Sequence, residues 1–200
     1  MNLREQQAEA ARALIRRGAF AAFLDHGYVG TTMADIAVRS GVARQTVYNL
    51  FESKAALLLA VIEDRVIGAD VRSQADDHAA VLGATEPQAM IDGLVAATIG
   101  VGERTLDVYR IALEAAVVDT AVADHLERNE RDRHDAQAFF VDALASKGFL
   151  RADVPVADLK RGFWLLTAPK TMVTAIDAGW SLDQYGAWLR HTVAGLLLRP

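Results

Sequence analysis

Apolar residues recur at helical spacing along almost the whole chain, and no stretch shows the strict alternation of a half-buried strand, so the pattern predicts an all-α protein. The first helix is expected from about Arg4 to His26, with Ala11, Leu14, Ile15, Ala19, Ala22 and Phe23 on one side and Gly27 as its stop. A second should begin at Thr32, because Thr32 and Asp35 fit the reciprocal capping pattern at a helix start; Met33, Ile36 and Ala37 form its inward stripe. Gly41 ends it, since glycine takes left-handed backbone at little steric cost and a short turn demands that conformation. A third, from Ala43 to Leu50, follows at once. Two short helices across a tight turn are the layout of a helix-turn-helix, and the three together can share a core around Phe23, Ile36, Val47 and Phe51.

The phase of the third helix separates its residues. At about 100° per residue, Ala43, Val47, Leu50 and Phe51 share the arc that faces the protein, Gln45 and Asn49 point away, and Arg44, Thr46 and Tyr48 fall on the flanks. Amides can pair with base edges, and arginine, threonine and tyrosine can reach bases or phosphates, so this face suits a major groove. An ordinary solvated helix face accounts for the same phasing, and the pattern leaves both readings open.

Beyond Ser53 the pattern stays helical. A run from Lys54 to His78 carries Leu57, Leu58, Val61, Ile62, Val66 and Ile67; helices are expected over Glu86 to Arg104, Thr105 to Val118 and Thr120 to Lys147, the last closed by Gly148. After a loop over 149–155 come Val156 to Ala178 and Ser181 to Leu198, divided by Gly179. This divides the chain into a helix-turn-helix domain, 1–52, and a larger helical domain, 53–200. Ser53 is a plausible cap for the helix it precedes, but Lys54 beside it gains nothing from the helix dipole, which favours negative charge there, so its position needs another reason. A DNA phosphate would supply one, and tolerance at a solvated site is the alternative.

Composition narrows the classes. Two hundred residues at 52% hydrophobic and 24% charged give ample core, and the absence of cysteine excludes disulfides and thiolate metal sites. The N-terminus lacks the apolar core of a secretion signal, and no run approaches the roughly 18 apolar residues needed to cross a bilayer, so a cytoplasmic protein is expected. The net charge of −5 is unevenly divided: through Ile62 there are seven Lys/Arg against five Asp/Glu, and after it fourteen against twenty-one. The positive excess travels with the helix-turn-helix. Enzymatic patterns are missing: His125 and His134 lie on different faces of one helix, and Gly100-Gly102 follows no strand, so neither catalysis, metal nor cofactor is expected.

From Ala11 to Ile62 the chain resembles the DNA-binding region of the TetR family of bacterial transcriptional regulators. The matching segments are Phe23-Leu24-Asp25-His26-Gly27-Tyr28, Thr31-Thr32-Met33-Ala34-Asp35-Ile36-Ala37, Gly41-Val42-Ala43-Arg44-Gln45-Thr46-Val47-Tyr48-Asn49-Leu50-Phe51 and Ser53-Lys54-Ala55-Ala56-Leu57. The resemblance implies double-stranded DNA as partner, with Thr32, Thr46, Tyr48 and Lys54 on the backbone and Arg44, Gln45 and Asn49 doing most of the reading. Ala43 stands where the family often has serine, and Gln45 and Asn49 replace the glycine and the histidine or tyrosine that are frequent there. By periodicity alone the last two helices read as core. The resemblance makes them instead the interface of a homodimer, whose paired readers would need a near-palindromic operator. It also implies a small-molecule cavity in the second domain, for which Tyr109, Arg110, Glu114, His125, Phe139, Trp164 and Met172 are the candidates and an apolar effector the expectation. The function implied is a ligand-responsive repressor; a regulator governed by a protein partner, or by no ligand, is the alternative, and a small helical enzyme the remote one.

Overall fold

Asn2 opens the first helix with a reciprocal cap: its Oδ1 accepts from the Glu5 N–H at 2.9 Å while the Glu5 carboxylate accepts from the Asn2 N–H at 2.9 Å. The computed structural model describes residues 2–67, 79, 81 and 83–199. Its helices are α1 (Leu3–Gly30), α2 (Met33–Ser40), α3 (Arg44–Leu50), α4 (Lys54–Ile67), α5 (Pro87–Ala116), α6 (Thr120–Ser146), α7 (Val156–Leu166), α8 (Pro169–Asp177) and α9 (Leu182–Leu197). Among the described residues the sole β-type pairing is the isolated bridge between Leu150 and Leu198. The all-α expectation holds. The part of the expected fourth helix beyond Ile67, over 68–78, lies outside the described residues.

Three helix boundaries differ from expectation: α1 kinks at its expected stop, Gly27, and ends at Gly30. The break expected at Thr105 does not occur, and α5 runs unbroken from Pro87 to Ala116. Instead of capping a new helix, the Thr105 hydroxyl bonds back to the Val101 carbonyl at 2.8 Å. Conversely, the single helix expected over Val156 to Ala178 is two, because Pro169 at the start of α8 disfavours helical backbone in the residue before it.

The chain folds as two compact units. The first comprises Met1–Ile67 and Asp107–Arg128, so α1 to α4 are joined by the end of α5 and the start of α6. Its core gathers Ile15, Phe23, Ile36, Val47, Phe51, Leu57 and Leu58 with Val108, Ile111, Ala115 and Val122. A three-helix module of about fifty residues buries too little to be more than marginal alone, and here it shares one core with the later helices. The unit therefore reaches well past residue 52, where the motif alone drew a boundary.

The second unit is formed by the rest of the described chain. Met90, Ile91 and Val95 of α5, Phe140, Val141 and Leu144 of α6, Leu159 and Phe163 of α7, and Tyr185, Leu189, Val193 and Leu197 of α9 make its core. Phe140 stacks on Phe163 with ring centroids 5.4 Å apart. The Tyr185 phenol donates to the Leu166 carbonyl at 2.9 Å, and burial pushes its pKa up to about 12. Much of the apolar stripe on the last helices, including Leu159, Phe163, Leu189, Val193 and Leu197, is thus buried within one chain. Leu165, 57% exposed, and the half-buried Leu166, Trp188 and Leu196 remain on the surface.

Candidate nucleic-acid interface

The helix-turn-helix is built from local signals. Thr32 caps α2, its hydroxyl accepting from the Asp35 N–H at 3.2 Å and donating to the Asp35 carboxylate at 2.6 Å, while that carboxylate accepts from the Thr32 N–H at 2.9 Å. These bonds to Thr32 hold the exposed Asp35 carboxyl below its ordinary range. Gly41 closes α2 in left-handed conformation at φ 67°. Gly18 lets α1 and α2 approach: a Cβ there would stand 2.8 Å from the Ser40 Cβ.

On α3, Val47 is fully buried and Phe51 just beyond it is 7% exposed, which fixes the helix against the core. Gln45 and Asn49 are exposed on the other side, one turn apart, and the Gln45 amide donates to the Asn49 side-chain oxygen at 2.9 Å. The Arg44 guanidinium lies over the Tyr48 ring, 5.6 Å from its centroid; Tyr48 is 44% exposed and Thr46 half-buried. Arg44, Gln45, Tyr48 and Asn49 thus form one exposed polar strip, with Thr46 at its edge. Ala43, expected to face inward, is exposed, because it precedes the first helical turn and α3's phase does not apply to it. As its missing hydroxyl implies, α3 has no side-chain cap.

Lys54 sits elsewhere. Its ammonium donates to the carbonyls of Tyr28 at 2.6 Å and Thr31 at 2.9 Å and lies 4.2 Å from the Tyr28 ring centroid. Burial lowers its pKa, with Asp119 and Glu114 opposing the shift. A reason for its position is therefore present inside the protein: the cation bonds two carbonyls at the end of α1, that of Thr31 and that of Tyr28, which also accepts from the Thr31 N–H at 3.4 Å. From α5 the Glu114 carboxylate accepts from the N–H groups of Tyr28 at 3.2 Å and Val29 at 3.1 Å, and Asp119 accepts from the Tyr28 phenol at 2.8 Å. Burial and that bond to Asp119 raise the Tyr28 pKa well above its ordinary value. Asp119 escaped the sequence reading altogether: nothing local marks a residue whose partner is 91 positions away.

The seven residues considered for an effector cavity divide between the units. Tyr109, Arg110, Glu114 and His125 belong to the first, and Phe139, Trp164 and Met172 to the second. Glu114 is engaged at the turn just described. Burial, then the neighbouring Arg128, lowers the His125 pKa, with Glu63 opposing. Phe139 is 59% exposed, whereas Met172 is buried with its sulfur packed where a Cβ on Gly102 would fall. Arg133 stacks on Trp164 at 5.1 Å and donates to its carbonyl at 3.0 Å, and the Trp164 indole Nε1 is buried without a hydrogen-bond partner. Among the described residues no cluster of three or more His, Cys, Asp or Glu could hold a metal ion, and no helix is long and apolar enough to cross a membrane.

Residues 9–61 match the family model described as bacterial regulatory proteins, tetR family. Solved structures resemble nearly the whole chain. One is a putative TetR-family transcriptional regulator from Mesorhizobium loti, 19% identical, with 96% of this chain and 98% of that one covered at a TM-score of 0.72. A putative transcriptional regulator from Saccharomonospora viridis in complex with choline is 18% identical, with 96% and 100% covered at a TM-score of 0.74. The transcriptional regulator FadR from Bacillus subtilis in complex with stearoyl-CoA is 12% identical, with 90% and 96% covered at a TM-score of 0.70. A search of curated protein sequences found no match.

Proposed function

We propose, from a chain that belongs to the TetR family of DNA-binding bacterial regulatory proteins through residues 9–61, that it is a homodimeric repressor of a near-palindromic operator. The observation that carries the specific reading is the exposed strip on α3, where Gln45 and Asn49 are held outward by the burial of Val47. In this reading Arg44, Gln45 and Asn49 contact base edges, and Thr32, Thr46 and Tyr48 contact the backbone. Lys54 serves the backbone only indirectly, through the turn it holds. Two copies meet through α7 to α9, where Leu165, Leu166, Trp188 and Leu196 supply surface beyond the single-chain core, and the paired α3 helices lie one DNA turn apart.

A small, mostly apolar effector binds the second domain and favours a dimer whose two α3 helices no longer match successive grooves, so operator affinity falls by the ligand's preference for that state. Two observations support a ligand. Similar structures hold choline and stearoyl-CoA, and the unpartnered Trp164 indole leaves a buried donor that an acceptor on a ligand can satisfy. Met172 and the Trp164 ring supply apolar contact of the kind such sites use.

Footprinting on DNA flanking the gene tests the reading. A short protected near-palindrome, with affinity falling steeply as salt rises, is expected; uniform protection without a site would sink sequence-specific recognition. Sizing at micromolar concentration is expected to return a dimer, and a monomer would give α7 to α9 back to a single-chain core.

A further inference from the structure

We propose that Glu114 is a positioning residue for DNA recognition: its carboxylate is the resident anion of a backbone nest at the Gly27 turn, and its occupancy holds the reading helix in register. This rests on the DNA-binding reading and goes beyond it, because Glu114 lies 86 positions from the turn and touches none of the proposed base-reading residues.

Gly27 has φ 69° and ψ 175°, a conformation essentially confined to glycine, and it interrupts α1 three residues before its end. The next two amides, of Tyr28 and Val29, converge on Glu114, each bonding a different carboxylate oxygen, at 3.2 and 3.1 Å. Successive N–H groups converging beside a residue of positive φ are the arrangement by which backbones bind anions. Glycine is needed here twice over, since a Cβ on residue 27 would stand 2.9 Å from both Glu114 carboxylate oxygens. Opposite polarity is handled by opposite charge: the turn's carbonyls, of Tyr28 and Thr31, receive the Lys54 ammonium. An anion from α5 and a cation from α4 thus clamp one short link from both sides.

That link decides where α3 points. It sets the angle at which α2 leaves α1, and α3 follows α2 through the short Gly41 turn, so an error at the link is carried to Gln45 and Asn49. Base-edge contacts tolerate displacements of only about 0.5 Å. The carboxylate itself is exposed and the core of the unit is apolar, so losing it leaves the fold standing and acts on geometry.

The test uses the full chain and a DNA duplex that the parent protein recovers from a random-sequence pool. Glu114→Ala is expected to keep the parent's helix content and elution volume while the Tyr28 and Val29 amides exchange faster with solvent. Its affinity for the recovered duplex should fall about tenfold, roughly the worth of one net hydrogen bond, as befits an exposed carboxylate acting through geometry, with little change for a scrambled duplex at the same salt. Glu114→Gln, whose amide oxygen can accept at one N–H while its NH2 opposes the other, should be intermediate. Sodium formate replacing sodium chloride at equal ionic strength should restore binding to Glu114→Ala and leave the parent unchanged, because formate can enter the emptied nest. Equal weakening on both duplexes, undiminished affinity in Glu114→Ala, or formate acting no better than chloride would overturn the proposal. Should Glu114→Ala unfold, Glu114→Gln carries the same comparison. A parent protein that recovers no duplex overturns the DNA reading and this inference with it, whereas the other adverse results overturn this inference alone.

Discussion

The exposed strip of α3 and the link between α1 and α2 belong to the same unit and are both polar, yet they treat their polar groups in opposite ways. On the strip, Gln45 and Asn49 have one hydrogen bond, to each other, and the Arg44 guanidinium rests on Tyr48. In the link, the N–H groups of Tyr28 and Val29, the carbonyls of Gly27, Tyr28 and Thr31, and the hydroxyls of Tyr28 and Thr31 all have partners, several from distant elements. Side chains proposed to exchange water for base edges are left with partners that cost little to give up. Groups that set backbone direction are saturated. Substitutions at Gly27 and Lys54 should therefore register first as lost stability, loss of the exposed Glu114 carboxylate as a misplaced α3, and substitutions on the strip as changed base preference.

The largest expected loss is at Gly27. Gly27→Ala forces a side chain into a glycine-only conformation and into the Glu114 carboxylate, and urea unfolding should show a loss of about 3 kcal/mol or more. An unchanged midpoint would mean that the turn relaxes freely and is no clamp. Lys54→Met comes next. It strips two carbonyls of a charged donor, so about 2 kcal/mol is expected, with DNA affinity falling through a misplaced α3. Were Lys54 instead chiefly a phosphate ligand, stability would hold and the salt dependence of binding would lessen by about one ion.

These two positions also mark how far the sequence could be read. Short-range features were legible because their causes are short-range: the Thr32–Asp35 cap, the break in α1 at Gly27, the Gly41 turn and the phase of Val47 each depend on residues within one helical turn. Lys54 was legible as an anomaly, a cation at the wrong end of a helix, without its explanation, since its carbonyl partners lie 23 and 26 positions back. Glu114 stood only among the effector candidates, because spacing reports neighbours on the same helix and its partners, Tyr28 and Val29, lie 86 and 85 positions back. The same limit explains the effector candidates. An aromatic or polar residue in an apolar stripe does not disclose which unit it joins, and Tyr109 and Trp164 fell on different sides of that division.

A smaller loss is expected at the start of α2. Thr32→Ala removes the cap hydroxyl and should cost about 1 kcal/mol. The same cap carries a pH signature. Because its bonds to Thr32 hold the Asp35 carboxyl below the ordinary 3.8, the stabilisation is present above that value and is lost as pH falls through the folded-state value. Asp35→Asn should therefore flatten this part of the acid limb of a stability-against-pH curve, and an acid limb unchanged in the variant would remove Asp35 from that role.

The smallest stability change is expected where the largest change in recognition should occur. Gln45 and Asn49 are exposed and bonded chiefly to each other, so replacing both with Ala should move the unfolding free energy by no more than about 0.5 kcal/mol. Preference among duplexes should nevertheless relax, with affinity for scrambled DNA and its salt dependence retained, because phosphate contacts are untouched. Tyr48→Phe provides the contrast: loss of one phenol should weaken binding to recovered and scrambled duplexes alike. If the double variant lost as much stability as Thr32→Ala, the strip would be part of the scaffold. If it weakened all duplexes equally, as Tyr48→Phe should, the outward face of α3 would grip backbone, and base reading would pass to its flank, with Arg44 the remaining reader.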